Sequence, residues 1–305
     1  MKLLKSLFTI TLLLLIVSCG KDESDSQPSG IKKNDNKNST SIYPEASRME
    51  MPKLKGGQSI LLVHKTNDKY DPDGINYCVE WDKEKKSQRW SCYQMTQNSN
   101  KQNANRYYGN PQYPFDPELP SGAYFDTDLF YGSGFDHGHI CPSNDRRFSE
   151  QTNYQTFYLT NMQPQYSVFN GSADGLQNQS LWLQMENFIH GLVGKLRTTD
   201  TLYVCRGGTI DNDNILMRIK DQLIVPKYFF SAALLKNSLG YKAIAFWFVH
   251  TNTPIENLKL SNYVVNIREL ETLTGIDFFC NLDDETEEHV ETLDPKNIIT
   301  SWGVK

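Results

Sequence analysis

Gly134-Phe135-Asp136-His137-Gly138-His139-Ile140-Cys141-Pro142-Ser143-Asn144-Asp145-Arg146 is dense in polar groups within this 305-residue chain. Asp136, His137, His139, Asp145 and Arg146 fall within eleven positions, and Gly138 frees the backbone between the two histidines. A neutral imidazole suits proton abstraction from water near pH 7, and an arginine suits an anionic phosphate. One His-x-His is also what a surface loop with two solvated histidines looks like. The reading therefore turns on what surrounds it.

On the N-terminal side, residues 59–64, 75–81 and 89–95 read as strands. Residues 96–135 are rich in Asn, Gly, Pro and Asp and predict loop. On the C-terminal side a short strand is predicted at 156–159. Leu181, Met185, Phe188, Leu192 and Leu196 recur at three and four residues and predict a helix over 181–196. Strands follow at 201–205, 224–235, 243–249 and 264–267, then a helix over 268–274 that Gly275 stops. Strands and helices mix without βαβ alternation. The expected class is α+β, with a mainly antiparallel central sheet and helices, in one domain over 51–305.

Three motifs follow one another in order. Asp136, Gly138 and His139 form the first; Asn161, Pro164 and Gln165 the second; Asn178, Trp182 and Glu186, at steps of four, the third. With them the chain resembles the DNA/RNA non-specific endonucleases of the ββα-metal (His-Me finger) type, the family that includes endonuclease G. The resemblance runs from Tyr77 to about Val290 and takes in residues 225–229 and 274–279. It implies a hydrolase that cuts DNA and RNA with little sequence specificity and leaves 5′-phosphate ends. His139 would be the general base, and Asn178 the sole protein ligand of one Mg²⁺, with Mn²⁺ able to substitute. Glu186 would hold water of the metal, and Asn161 and Gln165 would shape the catalytic and substrate-binding site. Arg106 stands where the family often has a phosphate-binding arginine; the competing reading is a loop arginine. Arg146 is expected to be structural, paired with Asp145.

The chain departs from the family pattern in three places. His137 replaces an arginine, and His190, four residues after Glu186, replaces another. Both changes remove fixed positive charge. The third departure is extra length before the helix. Asn170 keeps the five-residue step from Gln165, whereas Asn178 keeps the steps to Trp182 and Glu186. Helical spacing fixes which side chains share a face, so the expectation follows Asn178 and treats Asn170 as a loop residue.

The N-terminus begins Met-Lys-Leu-Leu-Lys, continues as an apolar run over 7–17, and reaches Ser18-Cys19-Gly20. The run is short for a bilayer span. It is similar to a bacterial lipoprotein signal over 1–18, with lipid on Cys19 and a flexible tether to residue 50. A lipid-anchored location at the outer membrane is expected. Of the five later cysteines, Cys78 and Cys92 lie in neighbouring strands and make a hairpin disulfide plausible. A net charge of -5 argues against general polyanion coating, and a mean hydropathy of -0.55 against a multi-span membrane protein. Two other readings compete. A zinc hydrolase would use His137 and His139 but lacks further ligands at characteristic spacing. A weak or inactive nuclease-like lipoprotein would bind nucleic acid or another partner without cutting.

Overall fold

The computed structural model describes residues 33–67 and 74–305. The leader and Cys19 lie outside the described residues. Period-two alternation of apolar side chains builds a seven-stranded sheet. Its members are β1 (Ser59–Lys65), β2 (Ile75–Asp82), β3 (Ser87–Met95), β6 (Thr201–Gly208), β9 (Tyr228–Asn237), β10 (Gly240–Val249) and β11 (Val264–Val265). The spatial order is β1-β2-β3-β6-β9-β10-β11 and every pairing is antiparallel. Two hairpins stand apart from it: β4 (Asp136–His139) with β5 (Met162–Gln165), and β7 (Ile215–Ile219) with β8 (Leu223–Pro226).

Helices cover both faces of the sheet. Tyr77, Val79, Tyr93, Val204, Ile244 and Phe246 point to the face packed by α3 (Leu181–Val193) through Trp182, Met185 and Ile189. Before α3 come α1 (Glu150–Gln155) and α2 (Ser167–Asn170). The opposite face is a register row of small side chains, Cys78, Cys92, Cys205, Ala232 and Ala245. Their small size admits α4 (Ile267–Thr274) and α5 (Asp284–Glu291) through Ile267, Leu270 and Val290. A last helix, α6 (Pro295–Trp302), packs Ile298 and Trp302 against the α3 side.

The α+β class and the antiparallel sheet agree with the sequence reading. Four local expectations do not. Residues 156–159 form no strand; they run from the end of α1 into a 3₁₀ turn over Leu159–Asn161. The run over 224–235 is split between β8 and β9 at Lys227. Cys78 and Cys92 are opposed in register, yet all five cysteines are free and buried. Cys205 flanks Cys92 on the other side, so the three thiols serve as small packing groups under α4 and α5.

The fourth correction concerns the tether, which was expected to reach residue 50. From residue 33 the chain is fastened to the domain. Asn38 is 6% exposed and donates to the carbonyls of Ala46 and Pro52, while Leu54 N–H donates to its Oδ1 at 3.0 Å. Asn36 donates to Glu287 at 3.0 Å. Polar composition resembled a linker because amides that cap buried carbonyls leave no hydrophobic period. Replacing Asn38 by Ala orphans these buried groups and is expected to lower stability by about 1–3 kcal/mol, read from urea denaturation.

Candidate active site

The β4–β5 hairpin positions His139, which ends β4 opposite Met162. Trp182 Nε1 of α3 donates to the His139 carbonyl at 3.1 Å, locking the hairpin to the helix. Burial pushes the His139 imidazole well below its ordinary value of 6.5, with Arg106 and His137 adding to the shift. A hydrogen bond to the His137 backbone opposes it. Nε2 is buried and has no hydrogen-bond partner.

Asn161 and Gln165 lie behind His139. Asn161 is fully buried, and its amide makes four hydrogen bonds. It accepts from Cys141 N–H (2.9 Å) and Ser91 Oγ (3.1 Å), and donates to the carbonyls of Cys141 (2.9 Å) and Thr156 (2.7 Å). Gln165 is also fully buried, and a Cβ on Gly138 would meet its side chain at 2.3 Å. The sequence reading gave both residues catalytic or substrate roles. In the structure Asn161 staples the backbone after His139, and Gln165 packs against Gly138 with both atoms of its amide head buried and without a hydrogen-bond partner.

Asp136 settles which asparagine enters the site. Its carboxylate accepts from Ser167 Oγ at 2.9 Å, from Asn170 Nδ2 at 3.0 Å and from Ser172 Oγ. A carboxylate only accepts, so Asn170 turns its nitrogen to Asp136 and leaves Oδ1 for another partner. Asn170 lines the cleft that holds His139 and Glu186. Asn178 is exposed on a 3₁₀ turn over Gln177–Gln179 and is not part of that lining. Of the two asparagines, Asn170 rather than the expected Asn178 lines the cleft with His139 and Glu186. Helical spacing does not extend to Asn178 because α3 begins only at Leu181, capped by Ser180.

Glu186 lies on the α3 face toward the cleft. Burial raises its carboxyl to about 8, with Arg206 pulling the other way, and Oε1 is buried without a hydrogen-bond partner. Arg206 of β6 was missed in the sequence reading. It is fully buried, 3.8 Å from Glu186 Oε1 and 3.9 Å from Asp145 Oδ2, and its three nitrogens have no hydrogen bond. The available signal was a charged residue between Cys205 and Gly207 in an apolar strand. Asp145 also accepts from Tyr93 Oη and pairs with His190 Nδ1, both at 2.8 Å. The hydrogen bond to Asp145 raises the His190 pKa. Arg146 is structural as expected, but it donates to the Gln94 carbonyl and lies over Tyr93 rather than pairing with Asp145.

His137 lines the same cleft as His139. Tyr113 and Phe130 stack on it at 3.7 and 4.3 Å, and Asp128 bonds Nε2 at 2.8 Å. Among the described residues no cluster of three His, Cys, Asp or Glu side chains could hold a metal ion. Arg106 is exposed, lies over Phe157 at 4.9 Å, and lines the cleft with His139, Asn170 and Glu186. The cleft encloses about 600 Å³.

The β4–β5 hairpin carries His139, and α3 behind it carries Glu186, whose side chain is mostly buried. The chain belongs to the DNA/RNA non-specific endonuclease family, whose sequence profile matches residues 65–285. It is similar to a nuclease of Nostoc sp., 27% identical over 74% of this chain and 79% of that protein. It is also similar to nuclease C1 of Cunninghamella echinulata, 26% identical over 69% and 83%. The fold matches a chain in the crystal structure of the EndoG/EndoGI complex, with a TM-score of 0.58, 18% identity, and coverage of 76% of this chain and 91% of that one.

The buried Glu186 carboxyl makes stability depend on pH. Its folded-state pKa of about 8 lies above the ordinary 4.5, so between these values the folded state binds more protons. Stability falls as pH rises through that window. In EDTA, the drop in urea midpoint from pH 5 to pH 8 is expected to be smaller in Glu186→Gln than in the wild type; equal drops contradict the assignment.

Proposed function

We propose that the protein is a divalent-metal-dependent endonuclease that hydrolyses phosphodiester bonds of DNA and RNA with little sequence specificity. The observation that carries this reading is the unpartnered His139 Nε2 in a cleft shared with Asn170, Glu186 and Arg106. The donor set suits Mg²⁺ or Mn²⁺. Asn170 Oδ1 would serve as a hard oxygen ligand, and the orphaned Glu186 Oε1 would accept from water that such an ion retains. When bound, the ion supplies positive charge for the phosphate as negative charge builds on it and on the departing oxygen.

The protein's own groups do the rest. Arg106 holds a non-bridging phosphate oxygen. His139 Nε2 takes a proton from water, and the water oxygen bonds to phosphorus as the bond to the 3′ oxygen breaks. The phosphate remains on the 5′ end. Because burial keeps the imidazole neutral, the acid limb of kcat attributable to His139 lies below pH 6.5. Asp136 orients Asn170, and Arg206 offsets the charge of an ionised Glu186.

Replacing His139 by Ala is expected to lower kcat by about 10²–10⁴-fold with the fold intact by circular dichroism. Asn170→Ala should lose most activity, Asn178→Ala should keep it, and EDTA should abolish it until Mg²⁺ is restored. Full activity in EDTA, or in both His139→Ala and Asn170→Ala, contradicts the mechanism and favours a non-catalytic binding protein.

The leader also supports a proposal about location. An apolar run ending at Ser18-Cys19 fits lipidation of Cys19 and anchoring at the outer membrane. Cys19→Ser is then expected to move the protein from the membrane to the soluble fraction on cell fractionation. Unchanged mass and fractionation would reject the anchor.

A further inference from the structure

The exposed large aromatics among the described residues are Tyr108, Phe115 and Tyr131, and all three fall in the loop segment that leads into β4. Two of them share a construction. Phe130 is pinned: its ring stacks on His137, and its N–H donates to Asp128 Oδ1 at 3.0 Å. The next residue, Tyr131, is 64% exposed and lines the catalytic cleft. Gly132, at φ +70°, turns the chain there, and Ser133 N–H closes the turn onto the Phe130 carbonyl. Tyr107 is pinned as well. It packs against Tyr154 at 4.9 Å and Phe157 at 5.4 Å, and its N–H donates to Asn153 Oδ1. The next residue, Tyr108, is 78% exposed. It lines a second groove with Tyr154, and Arg106 belongs to both this groove and the catalytic cleft.

The Tyr131 ring meets the His137 ring only edge-on, at 5.8 Å, and otherwise stands outward on a fixed backbone. The Tyr108 ring is likewise exposed, and the two grooves share the exposed Arg106. Rings placed on either side of a phosphate-binding arginine match the chemistry of unpaired nucleobases. Base–aromatic stacking is sequence-tolerant because every base has a π-face. Bases in a continuous duplex are already stacked on one another and offer no free face. We propose that Tyr108 and Tyr131 are base-stacking platforms flanking the phosphate held by Arg106, so that the cleft takes single-stranded or unpaired nucleic acid in preference to duplex. This rests on the nuclease reading and names the substrate form within it.

The test uses the full chain carrying His139→Ala, in EDTA, so that binding is read without cleavage or metal. Fluorescence polarisation compares a labelled short oligonucleotide, its duplex, and an abasic strand of the same length. The single strand is expected to bind tightest. Tyr131→Ala and Tyr108→Ala should each weaken single-strand binding by about tenfold. They should weaken duplex and abasic binding by clearly less, and Tyr→Phe at either position should retain affinity. In the otherwise wild-type protein with Mg²⁺, the same alanine variants should lower the ratio of single-strand to duplex kcat/KM. Equal losses on all three ligands, no loss on any, or tighter duplex binding by the parent overturns the proposal. If the wild-type protein cleaves nucleic acid while that ratio stays fixed in the variants, the stacking inference alone fails. If it cleaves no nucleic acid under any divalent metal, the nuclease reading fails with it.

Discussion

The side-chain amide of Asn161 uses both donors and accepts from the Cys141 N–H, while the single Ser91 hydroxyl hydrogen is shared between Asn161 Oδ1 and Gln88 Oε1, and the site is built on these bonds. It joins three parts of the chain that are distant in sequence: Ser91 in the central sheet, Cys141 just after β4, and Thr156 at the end of α1. The Ile140 N–H also bonds the Asn161 carbonyl at 3.1 Å. The two-stranded β4–β5 hairpin would be marginal alone. Held this way, and pinned from the other side by Trp182, it keeps His139 at one depth. Any substitute for Asn161 would leave buried backbone groups unpaired beside His139.

Charge beneath the cleft follows the same economy. Positions 137 and 190 carry histidines rather than fixed positive charges. The fold places Arg206 from β6 between Glu186 and Asp145, in a position with no solvent to screen it. His190 still sits on Asp145, where the hydrogen bond favours its charged form. His137 is held between the rings of Tyr113 and Phe130, with Asp128 on its Nε2. Its stacking fixes the loop wall from which Tyr131 projects.

The sequence displayed the sheet wherever strands alternated or ran apolar, and it displayed α3 because five apolar residues kept the helical step. It hid β4, a strand of Asp, His, Gly and His, because those residues have no strand preference and are ordered by pairing with β5. It hid the attachment of residues 33–50 because amides bonding to carbonyls produce no period. Arg206 was visible as an oddity in a strand, but its partners come from a helix and a turn distant in sequence.

The sequence by itself determined the family, the order of the motifs and the cleft residues His139 and Glu186, because those readings rest on residue type and on spacing within one element. Which of Asn170 and Asn178 lines the cleft was decided only by tertiary structure. Two spacing rules disagreed across a loop, and a loop has no fixed rise per residue to arbitrate. The carboxylate of Asp136, brought from another strand, takes the amide nitrogen of Asn170 and turns its oxygen outward, while Asn178 stays in solvent one turn before α3 begins.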